Sequence, residues 1–150
     1  MRFLICAALA LIAESSAGAQ TSDLSYSTPL AGNWVYSPTA DGSEAVFNDA
    51  YSHPQLWIHC TKATRHVTIS KPASAAAALM TVWTSSLSRA VPSSFDPATG
   101  RLSIDFAPFD PFLDAIASSR GRVGFSVGSE TALVLPPWAE VGRVVEDCRV

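Results

Sequence analysis

Two cysteines constrain the fold of this chain more than any other feature. Cys60 lies in the middle of the sequence and Cys148 near its C-terminal end, while the third cysteine, Cys6, falls within an apolar N-terminal leader. Two remaining cysteines in an exported chain predict one disulfide, Cys60–Cys148. The chain has no Cys-x-x-Cys motif, and distant single cysteines do not form a redox pair. We therefore expect the C-terminal segment to be bonded to the middle of the chain.

The leader has the features of a secretory signal peptide, which we assign to residues 1–19. Arg2 precedes the apolar run FLICAALALIA, and Ala17-Gly18-Ala19 is a small-residue cleavage pattern. The apolar run is too short to span a bilayer. The sequence thus predicts an exported protein, periplasmic or secreted, that has no membrane span after cleavage.

The remainder of the chain is long enough for one domain with a hydrophobic core. Residues 20–31 are rich in Ser and Thr, and we expect an irregular, partly mobile lead-in there. Residues 32–150 are expected to form a single β-rich domain. The formal net charge is −3 and there is no basic stripe, which argues against a nucleic-acid partner.

Alternation of apolar and polar residues predicts a series of short antiparallel strands. The clearest hairpin joins Gln55–Cys60 to Arg65–Ser70. If Cys60 pairs with Arg65, His59 lies opposite His66 on the outer face. Further strands are predicted at residues 32–37, 44–47, 79–84, 87–91, 101–106, 122–127 and 131–135.

Two helices are expected late in the chain. Asp110 suits the N-cap of a short helix, and Pro111 suits its first position. The second helix is predicted to begin at Pro137, and its apolar face is formed by Trp138, Val141, Val145 and Cys148, with Val144 beside it. The fold predicted is mainly β (α+β): an antiparallel β-sandwich or curled sheet, closed by a short helix and a C-terminal amphipathic helix.

Three histidines are the weak candidates for a metal site: His53, His59 and His66. A cross-strand pair could supply two ligands, but a metal site needs three or four ligands and supporting hydrogen bonds. Surface histidines on a hairpin are the favoured interpretation, and no cofactor is predicted. The sequence contains no HExxH or GxSxG motif, so no catalytic residue is assigned.

Carboxylates cluster in the segment that contains Asp105, Asp110 and Asp114. A two-carboxylate hydrolase would need an aligned pair across a cleft. Capping and dipole roles in the short helix are the favoured interpretation for Asp110 and Asp114. Ser43, Ser70 and Ser103 are interpreted as sheet or turn residues.

Four residues are candidates for ligand binding. Trp57 and Trp83 alternate away from the predicted core positions, and tryptophan on a sheet face can stack on a sugar or pack on a partner. Arg120 and Arg122 form the densest positive segment, which could meet an anionic group. The favoured alternative for these two arginines is pairing with Asp114 or with the acidic side of the final helix.

Several short runs carry a family resemblance: GNWVYSP, LWIHC, SRGR and LVLPPWAEVGRVVEDCR. Together they resemble a group of small exported proteins of Sphingomonas-type alphaproteobacteria. More distantly, the layout is similar to the invasion-associated locus B family: a Gly-x-Trp opening, a mid-chain cysteine, a late hairpin and a terminal helix with cysteine. The resemblance implies a secreted or periplasmic β-rich domain with a disulfide, and it supplies no catalytic residues.

The function predicted is that of an exported, non-catalytic domain that binds an envelope protein or a small ligand. One alternative is a small envelope hydrolase or metal-binding protein that uses His53, His59 and His66. Another is a purely structural envelope protein. A pocket beside Trp57 or Trp83 would favour a ligand, and a flat apolar patch would favour a protein partner.

Overall fold

The structure is a computed structural model that describes residues 23–150. The predicted signal peptide and its cleavage site lie outside these residues. The described chain is mainly β, with two antiparallel sheets and two helices, as the sequence predicted. In chain order the strands are β1 (Gly32–Pro38), β2 (Gly42–Asp49), β3 (Pro54–Thr61), β4 (His66–Pro72), β5 (Leu79–Trp83), β6 (Ser88–Pro92), β7 (Ser94–Asp96), β8 (Arg101–Phe106), β9 (Val123–Ser126) and β10 (Leu133–Leu135). The helices are α1 (Pro111–Ala117) and α2 (Ala139–Asp147).

The larger sheet has six strands in the order β1-β2-β3-β4-β8-β7, and the smaller has four in the order β10-β9-β5-β6. Both are antiparallel throughout. Because side chains alternate along a strand, the buried residues of the six-stranded sheet recur mostly at every second position, on the face turned to the core. One buried cluster joins the inner faces of both sheets and the two helices. The fold is therefore sandwich-like, with its core between the layers.

The C-terminal helix covers the inner face of the six-stranded sheet. Val141, Val144 and Val145 of α2 are buried, and α2 contacts β1, β2 and β3. Just beyond the helix, Cys148 lies in disulfide geometry with Cys60 of β3: the Sγ atoms are 2.15 Å apart and χ3 is 93°. The predicted cysteine pairing is thus present in the structure.

Arg65 strengthens the same junction. Its guanidinium donates hydrogen bonds to the carbonyl oxygens of Cys148 and Arg149. The carbonyl end of a helix carries partial negative charge, so a cation there is favourable. The end of α2 is consequently held by one covalent bond and by one arginine from the β3–β4 turn.

The start of α2 differs from the prediction. The helix begins at Ala139, and Trp138 is its extended N-cap residue with φ −136° and ψ 167°. Pro137 therefore precedes the helix and is not its first residue. The preceding carbonyl, that of Pro136, accepts a hydrogen bond from Trp34 Nε1 at 2.8 Å, which ties this segment to β1. Trp138 is 46% exposed, so its assignment to the buried face was wrong.

The register of the β3–β4 hairpin also differs from the prediction. Thr61 pairs with His66, so His59 lies opposite Thr68 and Cys60 opposite Val67. The reason is that Arg65 has a φ of 58° and belongs to the turn, where its N–H donates to the Thr61 carbonyl. The predicted cross-strand pair of His59 and His66 does not form.

The described part of the lead-in, residues 23–31, contains no helix or strand but is tied to the smaller sheet. Leu24 is buried against Gly124, where an added Cβ would clash with Leu24 Cδ1. Leu30 donates its N–H to the carbonyl of Val134 at 2.7 Å. The absence of a side chain at Gly124 thus leaves the space in which Leu24 of the lead-in packs.

No helix in the described chain is long and apolar enough to cross a membrane.

Candidate functional site

The candidate site lies on the outer face of the six-stranded sheet. Strand register aligns its outward residues in two rows. One row contains Glu44, His59, Thr68 and Asp105, and the other contains Val35, Val46, Trp57, Ser70, Ser103 and Ser94. Both helices and the smaller sheet pack into the core on the opposite side.

A groove of about 390 Å³ opens at one end of this face, where β4, β8 and β7 meet. It is lined by Thr68, Pro92, Ser93, Ser94, Ser103, Ile104 and Asp105. The groove arises because β7 is only three residues long and begins at Ser94. Before Ser94 the chain comes from the smaller sheet through Pro92 and Ser93, so the edge of β8 beyond Ser103 has no neighbouring strand.

Two hydroxyl groups in the groove have unused hydrogen-bonding capacity. Ser94 and Ser103 are cross-strand partners, and neither side chain makes a hydrogen bond to another described residue. A serine hydroxyl can donate one hydrogen bond and accept two. The pair therefore offers two donors and several acceptors side by side on the groove wall.

The other polar groups of the groove are mainly acceptors. Ser93 Oγ donates to the Ala77 carbonyl at 2.7 Å, and Thr68 Oγ1 donates to Asp105 Oδ1 at 3.0 Å. Each hydroxyl has thus committed its proton and keeps lone pairs for a ligand. Asp105 adds a carboxylate, and the groove lining contains no cationic side chain.

His66 borders the groove and holds Asp105 in place. Its Nδ1 is hydrogen-bonded to Asp105 Oδ2, while Thr68 bonds the other carboxylate oxygen. Both partners are about half exposed, so we expect this contact to contribute little to stability. Its effect is to fix the direction of the carboxylate.

A second imidazole–carboxylate group lies further along the same row. His59 Nε2 is 3.1 Å from Asp41 Oδ2, and His59 Nδ1 is 3.7 Å from Glu44 Oε2. The pKa of Asp41 is lowered, first by a hydrogen bond from the Thr39 hydroxyl and then by that from His59. His59 is therefore engaged with Asp41 and Glu44 of the β1–β2 hairpin. It lies opposite Thr68 on β4, two residues along that strand from His66.

Trp57 lies in the middle of the outer face, but one side of its ring is already in use. The Arg101 guanidinium lies 3.5 Å from the centroid of the Trp57 ring. The two residues are on β3 and β8, with β4 between them, and the small Ser70 of β4 lets them meet. The structure thus brings Trp57 near the groove, stacked under a cation.

The remaining predicted binding residues lie elsewhere. Trp83 is on the smaller sheet, opposite Gly124. Arg122 donates to the carbonyls of Leu24 and Ser25. Arg120 lines a separate cavity of about 450 Å³ with Ser85, Ser86 and Ser118. The four candidates do not form one site.

The pairing expected for the two arginines was wrong. Neither Arg120 nor Arg122 forms an ion pair with another described residue, because Asp114 pairs with Arg149 at 2.8 Å. Asp110 is the N-cap of α1, as predicted, and also binds Arg89 through both carboxylate oxygens. The aspartates of this segment therefore have separate structural partners.

His53 lies apart from the other two histidines, beside Asp49 in the β2–β3 turn, at 3.6 Å. Over residues 23–150, no three His, Cys, Asp or Glu side chains are arranged to hold a metal ion. Each of the three histidines instead contacts a different aspartate: His53 contacts Asp49, His59 contacts Asp41, and His66 contacts Asp105.

Sequence reasoning missed the two serines that distinguish the groove. Alternation along β8 already places Ser103 and Asp105 on the face opposite Leu102, Ile104 and Phe106. Nothing in the local pattern indicated β7, because a three-residue strand is too short to show alternation. The pairing of Ser94 with Ser103 depends on that strand.

Comparisons with known proteins leave the resemblance to the invasion-associated locus B family as a prediction. No protein-family model matches the chain, and no curated protein and no solved structure matches it significantly.

Proposed function

We propose that the chain is an exported, non-catalytic domain that binds a small, hydroxyl-rich ligand, of which a neutral saccharide is the best match, in the groove beside Asp105. The observation that carries this proposal is the pair of uncommitted hydroxyl groups, Ser94 and Ser103, next to a fixed carboxylate. Binding sites are usually concave, with a few well-placed polar groups.

The chemistry of the groove favours a neutral ligand that both donates and accepts hydrogen bonds. Sugar hydroxyls can donate to Asp105, Thr68 and Ser93 and exchange hydrogen bonds with Ser94 and Ser103. Pro92, which is exposed on the groove wall, provides apolar surface for C–H groups. An anionic ligand would meet the Asp105 carboxylate with no cation in the lining, and this is unfavourable.

Export is supported by the sequence of the leader and by the cysteine pair. Disulfides persist in oxidising compartments, among them the bacterial periplasm and the extracellular space. Cys60 and Cys148 are both fully buried in disulfide geometry, which suits a structural bond in such a compartment.

A binding role fits the groove better than hydrolysis does. An aspartate on His Nδ1 also occurs in catalytic triads, where the other ring nitrogen holds the nucleophile. In residues 23–150 the ring of His66 has Asp105 as its hydrogen-bond partner and no hydroxyl or thiol. The alternatives of an envelope-protein partner or a purely structural role would leave the two serines unused.

The test is to titrate the disulfide-bonded chain with cellotetraose and with chitotetraose, and to monitor binding by calorimetry and by amide NMR. We expect at least one of the two saccharides to bind, with the largest amide chemical-shift changes at Ser94, Ser103 and Asp105. A variant with Ser94→Ala and Ser103→Ala loses two neutral hydrogen bonds, and its affinity should fall about tenfold or more. Ser129→Ala, in the exposed β9–β10 turn, is the matched control.

Two outcomes would contradict the proposal. One is that neither saccharide binds at millimolar concentration. The other is that a saccharide binds equally well to the double-serine variant. If spermidine binds while both saccharides fail, the groove takes cationic amines and the ligand class proposed here is wrong.

A further inference from the structure

The four sheet edges of the described chain differ in how far they are protected from further strand pairing. The edges are formed by β1, β7, β10 and β6. Both β7 and β10 are three residues long, and β10 is bonded to Leu30. The β6 strand carries Arg89 and ends in Pro92. Like β6, β1 ends in a proline, Pro38, but it is longer, with seven residues, and it carries no charged side chain. Short strands, charges and proline are the usual devices that block an edge.

The hairpin turn reveals which backbone groups of β1 face outward. Thr39 and Gly42 exchange both of their backbone hydrogen bonds. In an antiparallel pair, bonded and non-bonded positions alternate. Asn33, Val35 and Ser37 are therefore bonded to β2, while the N–H and C=O groups of Trp34 and Tyr36 point away from the sheet. Pro38 also faces outward, where its missing N–H costs nothing.

The sequence of β1 is close to symmetric about Val35. Reading outward in both directions, Val35 is flanked by the aromatic residues Trp34 and Tyr36 and then by the small polar residues Asn33 and Ser37. In an antiparallel pair of two identical strands centred on Val35, each aromatic residue would lie opposite an aromatic residue and each small polar residue opposite a small polar residue. Such a pair would be related by a two-fold axis, as in most homodimers.

We infer that β1 pairs with β1 of a second copy of this chain, with Val35 on the two-fold axis, so that the two six-stranded sheets become continuous. In this register Trp34 of one copy lies opposite Tyr36 of the other. The backbone N–H and C=O groups of both residues point away from β2, so each such pair can exchange two hydrogen bonds. Gly32 N–H can also reach the Pro38 carbonyl. The pairing forms about six backbone hydrogen bonds in all.

The side chains of β1 are compatible with this pairing. Val35 is 47% exposed and would meet its own copy at a non-bonded position, where side chains approach most closely. Asn33 would face Ser37 on the outer face, and Trp34 would face Tyr36 on the inner face. No charge meets a like charge across the axis. Aromatic and β-branched cross-strand pairs are favourable.

The interface consists of little more than one strand pair. Stable interfaces bury about 1,200 Å² or more, so we expect a weak dimer that dissociates on dilution. The groove beside Asp105 lies at the far side of the sheet, near β7, and remains open in the dimer. This inference is independent of the proposed function.

Sedimentation equilibrium of the disulfide-bonded chain provides the first test. We expect reversible dimerisation between about 10 µM and 1 mM, where weak association is measurable. Val35→Lys places two ammonium groups together at the axis and should weaken dimerisation at least about tenfold. Leu87→Lys, at a similarly exposed apolar residue outside β1, is the matched control and should dimerise normally.

Cysteine cross-linking tests the register. Directly opposed Cα atoms at a non-bonded position are close enough for a disulfide. Under mild oxidation Val35→Cys should form a covalent dimer, whereas Asn33→Cys and Ser37→Cys should cross-link to each other when mixed and not to themselves. A monomer at all concentrations, an unaffected Val35→Lys dimer, or self-linking of Asn33→Cys would each overturn the inference.

Discussion

The two faces of the six-stranded sheet are built from alternate residues of the same strands, yet they differ in burial and in polarity. The inner face contributes fully buried side chains such as Phe47, Ile58 and Ile104 to the core. The outer face carries hydroxyl, imidazole and carboxylate groups, and some of them have unused hydrogen-bonding capacity. Because side chains alternate with a period of two, substitutions on the outer face, which carries the proposed binding groove, need not disturb the core side chains on the inner face.

The polar groups of Trp34 and Tyr36, on the inner side of β1, are bonded to the C-terminal segment, in contrast to the serines of the outer groove. Tyr36 donates to Asp147 Oδ2 at 2.7 Å, and the Arg143 guanidinium lies 3.9 Å from the centroid of the Tyr36 ring. Trp34 donates to the Pro136 carbonyl. Every one of these contacts joins β1 to the C-terminal segment, so we expect the inner face to respond most strongly to mutation.

The largest effect is expected from removal of the disulfide. Cys60 and Cys148 are 88 residues apart in sequence, and the bond restricts a long loop in the unfolded chain. In the chain-entropy description, a variant with Cys60→Ala and Cys148→Ala should lose about 4 kcal/mol of the free energy of unfolding. Urea unfolding followed by fluorescence measures this quantity.

Intact-mass analysis of exported material is the companion measurement. Thiol alkylation should add no mass to Cys60 or Cys148 until the protein is reduced, and the mature chain should begin at Gln20. Labelling without reduction, or a loss of stability below about 1 kcal/mol in the double variant, would show that the inner face does not depend on the bond.

An intermediate and pH-dependent effect is expected at Tyr36. The hydrogen bond from the Tyr36 hydroxyl is the main reason that the pKa of Asp147 is lowered. Because the folded pKa lies below the unfolded value of about 3.9, this contact stabilises the protein above that pH, and its contribution is lost as the pH falls through the folded pKa. Tyr36→Phe should cost about 1 kcal/mol at neutral pH.

The difference between wild type and Tyr36→Phe should shrink as the pH is lowered from 7 to 2, and thermal unfolding at each pH measures it. Tyr26→Phe is the control, since Tyr26 is 95% exposed. A Tyr36→Phe defect that is constant over this pH range would assign the loss to packing and not to the carboxylate.

Features of the two faces that depend on residues close together in the sequence could be predicted, and features that depend on distant residues could not. Alternation in the β3 and β8 segments and the Asp110 cap of α1 are local, and they were predicted correctly. The outward position of Trp57 followed from the same alternation. The β3–β4 register was wrong because it depends on the left-handed conformation of Arg65, a non-glycine residue that rarely adopts it.

The groove could not be predicted, since it depends on three strands meeting. Ser94, Ser103 and Thr68 come from segments whose order in the sheet, β4-β8-β7, is not the order in the chain. The extended segment before α2 was missed for a related reason: the carbonyl of Pro136 accepts its hydrogen bond from Trp34, which is 102 residues away in the sequence. Long-range pairing leaves little trace in local periodicity.

The smallest effect is expected at Arg101, on the outer face. Its guanidinium lies over the partly buried Trp57, and a cation–π contact near the surface is worth about 0.5–1 kcal/mol. Arg101→Met keeps the apolar stem and removes the charge, so the free energy of unfolding should fall by no more than this, while the indole emission of Trp57 changes. Arg120→Met, whose guanidinium has no ion-pair partner in the described chain, is the matched control. A loss above about 2 kcal/mol at Arg101 would mean that the outer face also supports the fold.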